Sequence, residues 1–423
     1  MTTNYKNYLL NKSKTFCMFP WIHLYANPDG AAFPCCTAEQ DKIKENTKDK
    51  TLNEIFNSTD WKQLRLDMLN EVKNDTCRRC HEIDEAGGFS YRSYANNDFG
   101  KFIDIVDQTN EDGSIEKPEY KFIDIRFSNH CNFACSTCGP VFSTAWGKKV
   151  REYKKNNPEW IDPGFTKIEE NTKESVIEQL KPHFFKAEEI YFAGGEPLIM
   201  DEHYQILEYL NNNSIKDLRL RYNSNLSKLD YKKENIIHKW KNIREVKIGA
   251  SIDGVGDVAE LIRTGTDWNT IEKNMKEILP YENISLNIDT VVSVLNVSHL
   301  PQMYNYLFDN NLLNERSWLT TNLAFTPVPY SLTSLPTDYK NKFANIINEY
   351  IMELKDKKTP LIEPAKESLI QSLKSIVEFM YSKDTFQNED LSTLIKWSIF
   401  DKEKFKTVLP DIYNLNEELK NGQ

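Results

Sequence analysis

The 423-residue chain reads as an α/β protein: a partial, six-stranded α/β barrel, preceded by a small cysteine-bearing module and followed by a helical region. Three observations predict this. Short apolar or alternating runs are interleaved with helical periodicity between residues 121 and 329, polar and glycine-containing clusters follow those runs directly, and all 8 cysteines stand at or before position 138. Strands that alternate with helices form parallel βα units, right-handed in their connections and covered by helices. An open doubly wound sheet is the other architecture with that rhythm.

The first expected module is 1–98. In it WIHLYANPDGAAFPCC reads as a hairpin, with Asn27-Pro28-Asp29-Gly30 supplying turn residues between two short strands. TLNEIF and then WKQLRLDMLNEV follow as helices, the second with apolar spacing at Leu64, Met68 and Val72. Cys17 and Cys35 flank the hairpin and Cys77-x2-Cys80 follows the helices, so that four thiolates are expected to meet. Four thiolates in two pairs suit structural zinc as well as an iron–sulfur cluster. Cys36, beside Cys35, is a bystander or an alternate ligand. Residues 99–120 read as a linking hairpin with its turn at Asp112-Gly113.

Barrel strands are expected at KFIDIRFS (121–128), EIYFAG (189–194), LRLRYNS (218–224), EVKIGAS (245–251), ISLNIDTVVSVL (284–295) and TTNLAFTPV (320–328). ESVIEQLKPHFF, DEHYQILEYLNN and WNTIEKNMKEIL are helical between them. The barrel domain thus spans 121–330. Residues 331–423 carry helical periodicity at FANIINEYIMEL, SLIQSLKSIVEFMY and LSTLIKWSIF, and are expected to cap the open barrel and line the substrate entrance.

Composition narrows the function. The formal charge is −10, from 53 Lys and Arg against 63 Asp and Glu, and without a basic run this argues against a phosphate-tracking nucleic-acid surface. No segment approaches the roughly 18 apolar residues of a membrane span. The first residues, MTTNYKNYLLNKSKTF, show no apolar secretory core, and the expected location is the cytoplasm. Clustered cysteines in a large chain of that compartment point to metal binding or chemistry rather than to a disulfide framework.

In both architectures the working groups stand at the carboxyl ends of the strands. Cys131, Cys135 and Cys138 follow the first barrel strand, Gly194-Gly195-Glu196-Pro197 the second, Asn223-Ser224-Asn225 the third and Ser251-Ile252-Asp253-Gly254 the fourth. Paired glycines let backbone approach a ligand closely, and Pro197 ends its strand because it lacks an N–H for the ladder. Hydroxyl, amide and carboxylate groups suit a ligand with hydroxyls and a carboxylate, although Asn, Ser, Asp and Gly also serve ordinary turns. His130 and His81 abut cysteines and read as satisfied polar histidines. Trp21, Trp146 and Trp268 read as core anchors.

The spacing Cys131-x3-Cys135-x2-Cys138, followed by GGEP after the next strand, resembles the radical S-adenosylmethionine (SAM) enzymes over about residues 120–330. The resemblance implies a barrel of the radical SAM type and a [4Fe–4S] cluster held by those three thiolates, its fourth iron left open for SAM. It implies that Glu196 accepts hydrogen bonds from the SAM amino group and that Gly194 and Gly195 lie along the methionine moiety. Asn225, Ser251, Asp253 and Arg263 become candidates for the methionine carboxylate and the ribose. Many members have an aromatic residue before the third cysteine; Thr137 stands there instead, which bears on adenine packing.

Cys17-x12-Gly30-x4-Cys35 with Cys77-x2-Cys80 resembles the twitch module, a truncated relative of the SPASM domain, which holds an auxiliary [4Fe–4S] cluster by four cysteines. Here the module precedes the barrel instead of following it. The implied activity is reductive cleavage of SAM to a 5′-deoxyadenosyl radical, which abstracts a hydrogen atom from a peptide or carbohydrate-like small molecule. The auxiliary cluster would oxidise or position that substrate, and a flavodoxin- or ferredoxin-type donor would supply the electron. No residue is assigned as the catalytic acid or base. Methyl or sulfur transfer, and a non-catalytic iron–sulfur or zinc protein, are the alternative functions.

Overall fold

The computed structural model describes residues 1–85, 87–155, 167–325, 328–385 and 402–420. Thirteen strands are found among them. In the first third they are β1 (His23–Ala26), β2 (Ala31–Phe33), β3 (Glu45–Asn46), β4 (Phe122–Ile125) and β5 (Ala134–Cys135). The rest are β6 (Glu189–Phe192), β7 (Arg219–Ser224), β8 (Asp230–Tyr231), β9 (Glu234–Asn235), β10 (Glu245–Ser251), β11 (Arg263–Thr264), β12 (Ile284–Val292) and β13 (Leu319–Leu323). All six expected barrel strands are present, as β4, β6, β7, β10, β12 and β13. The protein is α/β, with an N-terminal helix-and-hairpin module, a mixed sheet of partial-barrel character and C-terminal helices.

Two compact units divide the chain: Met1–Asn129 with the described part of 164–221, and the described part of 130–163 with 222–423. In the first unit β1 and β2 form the expected antiparallel hairpin, Tyr25 opposite Phe33, and β2 continues to β3. Gly30 closes the turn at φ +86°, where an added Cβ would stand 2.6 Å from Asn46 Oδ1. Local patterning gives no warning of the next pairing: β1 runs parallel to β4, His23 opposite Phe122 and Ala26 opposite Ile125, and β4 runs parallel to β6. The hairpin module therefore extends the sheet of the first barrel strands. His23 is fully buried, stacks on Phe122 at 4.3 Å and bonds through Nδ1 to Phe122 O at 2.9 Å.

Arg65 organises the module's core. It is fully buried, donates to Pro20 O, Gly113 O and Phe56 O at 2.8–3.0 Å, and lies 4.1 Å over the Phe56 ring. Thr51 and Glu54 form a reciprocal capping box on the helix Leu52–Phe56, satisfying two backbone donors that the helix start leaves open.

Two expectations are corrected. Gly100–Gln108 is a 3₁₀-helix rather than a hairpin strand, and the consecutive residues Ile105 and Val106 are both buried, which the alternation of a half-buried strand does not allow; the turn at Asp112-Gly113 is present. The helix expected to run to Val72 is Thr59–Leu69, and Val72 is exposed beyond its end.

In the second unit β10, β12 and β13 are parallel neighbours. Their apolar alternates, such as Val246, Ile248, Leu286 and Ile288, are buried. The short strands β5 and β11 pair antiparallel, setting Arg263 opposite Cys135. The helices Thr337–Asp356 and Glu363–Tyr381 pack together, as their periodicity predicts. LSTLIKWSIF lies outside the described residues. Trp21, Trp146 and Trp268 are all buried. Among the described residues no helix is long and apolar enough to cross a membrane.

Candidate iron–sulfur and SAM sites

In the first unit Cys17, Cys35, Cys77 and Cys80 lie within electrostatic reach of one another. Cys17 sits on a loop clamped by the helix Tyr91–Phe99: Arg92 donates to Ser13 O and Phe16 O, and Asn96 accepts from Met18 N and donates to Phe16 O, all at 3.0–3.2 Å. Cys77 ends the 3₁₀ turn Asp75–Cys77, and Cys80 lies on the helix Arg78–Glu85. Glu39 N donates to Thr76 O at 3.0 Å, tying the Cys35 loop to the Cys77 turn. Thr37 Oγ1 stands 3.3 Å from Cys35 Sγ and 3.8 Å from Cys80 Sγ. The clamp by Arg92 and Asn96 escaped the sequence reading, since neither residue belongs to a cysteine motif.

Burial first, and then the neighbouring thiols, set the electrostatics. Cys17 is pushed well up by burial and next by Cys35, Cys77 and Cys80, and Cys35 by burial and next by Cys36 and Cys77. Cys77 rises to about 12 through burial and Cys80. Cys17, Cys35 and Cys77, whose thiols resist ionisation, become ligands once a metal deprotonates them. Cys36 turns elsewhere: after burial, its electrostatic neighbours are Asp124, Arg126, Tyr91 and Arg221.

Among the described residues, no three His, Cys, Asp or Glu side chains converge closely enough for a single metal ion. Four thiols in two pairs serve a structural zinc as well as an iron–sulfur cluster.

Gly194, Gly195 and Glu196 also belong to the first unit. Both glycines are left-handed, at φ +78° and +55°, and a Cβ on Gly194 would meet Arg126 Cβ at 2.7 Å. The buried Glu196 carboxylate accepts from Leu198 N at 3.1 Å and so caps the 3₁₀ turn Pro197–Ile199 that follows it.

The second unit holds Cys131, Cys135 and Cys138 on one loop, with Asn225, Ser251, Asp253 and Arg263. Thr144 ties that loop at both polar groups of Cys131, its Oγ1 accepting from Cys131 N at 3.2 Å and donating to Cys131 O at 3.1 Å. Trp146 Nε1 donates to Cys135 O at 2.8 Å, so this core anchor also fixes the loop. Phe133 N points to Cys131 Sγ at 3.4 Å. Arg263 Nη1 lies 3.5 Å from Cys135 Sγ, while its Nε lies 2.8 Å from Asp253 Oδ2. Burial lifts the Cys135 thiol to about 12, and the Arg263 charge works against that rise.

Asp253 is in turn held by Val291 N at 2.8 Å. Asn225 Nδ2 donates to Asn132 Oδ1, and Asn132 Nδ2 to Ser227 Oγ, which joins the strand-end asparagine to the cysteine loop. Ser251 is half-buried at the end of β10. Cys138 is exposed at the loop tip. The arrangement offers three thiols in sequence, a buried guanidinium–carboxylate pair behind them and polar strand ends beside them.

Comparison with known proteins gives two family matches. Residues 125–307 match the radical SAM superfamily, and residues 17–81 match SPASM, described as an iron–sulfur cluster-binding domain. A curated relative, the probable GTP 3′,8-cyclase of Methanocaldococcus jannaschii, is 21% identical over 244 residues, which is 56% of this chain and 72% of the relative. Among solved structures, anSMEcpe with bound AdoMet aligns at 18% identity and a TM-score of 0.37, covering 56% of this chain and 61% of that one. Streptococcus suis SuiB aligns at 11% identity and a TM-score of 0.37, covering 72% and 64%. The chain thus spans less than two thirds of the length of these two solved relatives.

Proposed function

The chain is a radical SAM protein with a catalytic domain over residues 125–307 and an N-terminal SPASM-type iron–sulfur domain over 17–81, and from that premise we propose that it cleaves SAM reductively and abstracts a hydrogen atom from a peptide or carbohydrate-like substrate. The observation that carries this reading is the loop of three thiols, Cys131, Cys135 and Cys138, in a unit whose sequence has no fourth cysteine. A protein that withholds one ligand leaves a site for an exchangeable partner, as catalytic zinc sites do.

In this reading the modules at 1–98 and 121–330 are the auxiliary and catalytic units, 99–120 joins them and 331–423 is a helical cap. Cys131, Cys135 and Cys138 hold the cluster that binds SAM, and Cys17, Cys35, Cys77 and Cys80 hold the auxiliary one. When bound, the first cluster and SAM supply a 5′-deoxyadenosyl radical. The protein's own tasks are to bind, orient and keep out water. Arg263 keeps a positive charge against the Cys135 sulfur, and Asp253 fixes that guanidinium. Glu196 offers a carboxylate to the SAM amino group, and Gly194 and Gly195 leave backbone open along the methionine. Ser251 and Asn225 serve the methionine carboxylate and the ribose hydroxyls. The electron comes from a flavodoxin- or ferredoxin-type donor.

The test is anaerobic incubation of the reconstituted full chain with SAM and dithionite. 5′-Deoxyadenosine and methionine are expected from the wild type and neither from Cys135→Ala. S-Adenosylhomocysteine without 5′-deoxyadenosine would overturn the reading in favour of methyl transfer.

A further inference from the structure

The strands β1, β4 and β6 of the first unit have one apolar and one polar face. Leu24, Ile123 and Ile190 lie in register on the first and are buried. On the second, Tyr25, Asp124 and Tyr191 form one row, so that a carboxylate stands between two phenol-bearing strands, each about 4.8 Å away. One row nearer the amino ends are His23, Phe122 and Glu189, all fully buried, and Arg219 Nε holds Glu189 Oε2 at 2.8 Å. That row is filled by its own members.

The row of Asp124 is not. Asp124 is wholly buried, yet among the described residues neither of its oxygens has a hydrogen-bond partner. Arg126 Nε has none either, and stands 3.6 Å from Asp124 Oδ1, too far for a hydrogen bond. Arg126 lies 4.8 Å over the Tyr25 ring, and Arg221 of β7 lies 4.8 Å over the Tyr191 ring and 5.9 Å over that of Tyr94. Arg221 Nη1 is 3.8 Å from Glu189 Oε1, again beyond hydrogen-bond reach. Both arginines reach solvent, with 18% and 35% of their side chains exposed. Burial pushes the Asp124 carboxyl up, and Arg126 and then Arg221 pull it back, so both guanidiniums act on it.

A buried carboxylate without a hydrogen bond is costly, and a guanidinium stacked on a ring still presents the edges of its donor fork. The chemistry of the groups states what completes them. The partner that matches an arginine fork is a planar oxyanion bonded through both oxygens, a carboxylate. Two guanidiniums then serve two carboxylates, that of Asp124 and that of the ligand. Asp124 itself only accepts, and so takes an N–H beside the ligand's carboxylate. A carboxylate with an N–H on the neighbouring carbon is the end of an amino acid or a peptide. The place fits as well: a Cβ on Gly194 would meet Arg126 Cβ at 2.7 Å, so the arginine lies against the strand end that the proposed function gives to the methionine of SAM.

We infer that this row anchors the substrate, and that the substrate is a peptide or amino acid held by its carboxylate between Arg126 and Arg221, with the adjacent N–H donated to Asp124. The inference rests on the radical SAM reading for its meaning, yet it is tested by binding alone. The experiment is saturation-transfer NMR on the reconstituted full chain with N-acetyl-tri-alanine and, separately, its C-terminal amide, each with SAM in excess so that the cofactor's own carboxylate has its place. Transfer to the methyl protons of the acid is expected in the wild type, and at least fivefold less to those of the amide. That comparison needs no variant. Arg221→Gln, which leaves Asp124 with Arg126 and Glu189 with Arg219, should lower transfer to the acid at least fivefold. Transfer to neither probe, equal transfer to both, or unchanged transfer in Arg221→Gln would overturn the inference. So would transfer to the acid only without SAM, which would give the arginines to the cofactor's carboxylate. Failure here with 5′-deoxyadenosine still formed from SAM sinks this inference and leaves the proposed function standing.

Discussion

Arg263 and Asp253 form a buried ion pair, Nε to Oδ2 at 2.8 Å, directly behind the Cys135 sulfur. Its side chains are 12% and 0% exposed, so that either charge left alone would stand without solvent. Asp253→Ala is expected to destabilise the fold by about 3–5 kcal/mol, the usual penalty for stranding one charge of such a pair. Asp253→Ala combined with Arg263→Leu should recover part of that loss. Urea unfolding of the wild type and the two variants measures it, and a double variant no more stable than Asp253→Ala would contradict the pairing.

Arg65 gives a second stability prediction, independent of any cofactor. Three backbone carbonyls depend on its guanidinium. Arg65→Met keeps the bulk and strands those acceptors, and is expected to cost about 3–5 kcal/mol. Arg65→Lys should rescue little, because an ammonium lacks the planar fork that reaches three separate carbonyls.

His23 predicts an acid-side slope. Burial holds its pKa at about 3, against 6.5 for the free side chain, and the carbonyl of Phe122 offsets that only in part. Between those values the unfolded chain binds a proton that the folded chain refuses, so stability falls as the pH drops from about 6.5 towards 3. His23→Gln should flatten that part of the profile, by up to about 1.4 kcal/mol per pH unit. Denaturation midpoints across the window, variant against wild type, give the comparison.

Much of the fold was legible in the sequence because periodicity is local. DEHYQILEYLNN became the helix Asp201–Asn212, and EVKIGAS the strand Glu245–Ser251. Pairing between distant segments is not local, so the parallel union of β1 with β4 could not be read from either strand alone. FGKFIDIVDQ misled for a related reason: its apolar residues fit a short strand as well as a helical turn, and the core around Phe99 and Val106 decided for the turn. At the candidate sites, motif spacing brought the cysteines into view. The groups that hold them, Arg92, Asn96, Thr144 and Trp146, are tied to cysteine loops by hydrogen bonds that no spacing rule contains.

The choice between adjacent cysteines is testable. After burial, the thiols that raise Cys35 are Cys36, Cys77 and Cys80, while Cys36 is influenced by Asp124 and Arg126, and none of Cys17, Cys77 and Cys80 is among the groups that act on it most. Cys35→Ser should lose the auxiliary cluster, about four irons per chain, and Cys36→Ser should keep it. Iron content after reconstitution and the near-ultraviolet to visible absorption of each variant decide the matter.

The most direct test of the central claim is iron and acid-labile sulfide per chain after anaerobic reconstitution, wild type against a variant with Cys131, Cys135 and Cys138 all changed to Ala. Two separate [4Fe–4S] sites predict about eight irons in the wild type and about four in the variant. A variant without iron, together with zinc in the wild type, would contradict the account and make the N-terminal cysteines a structural zinc site.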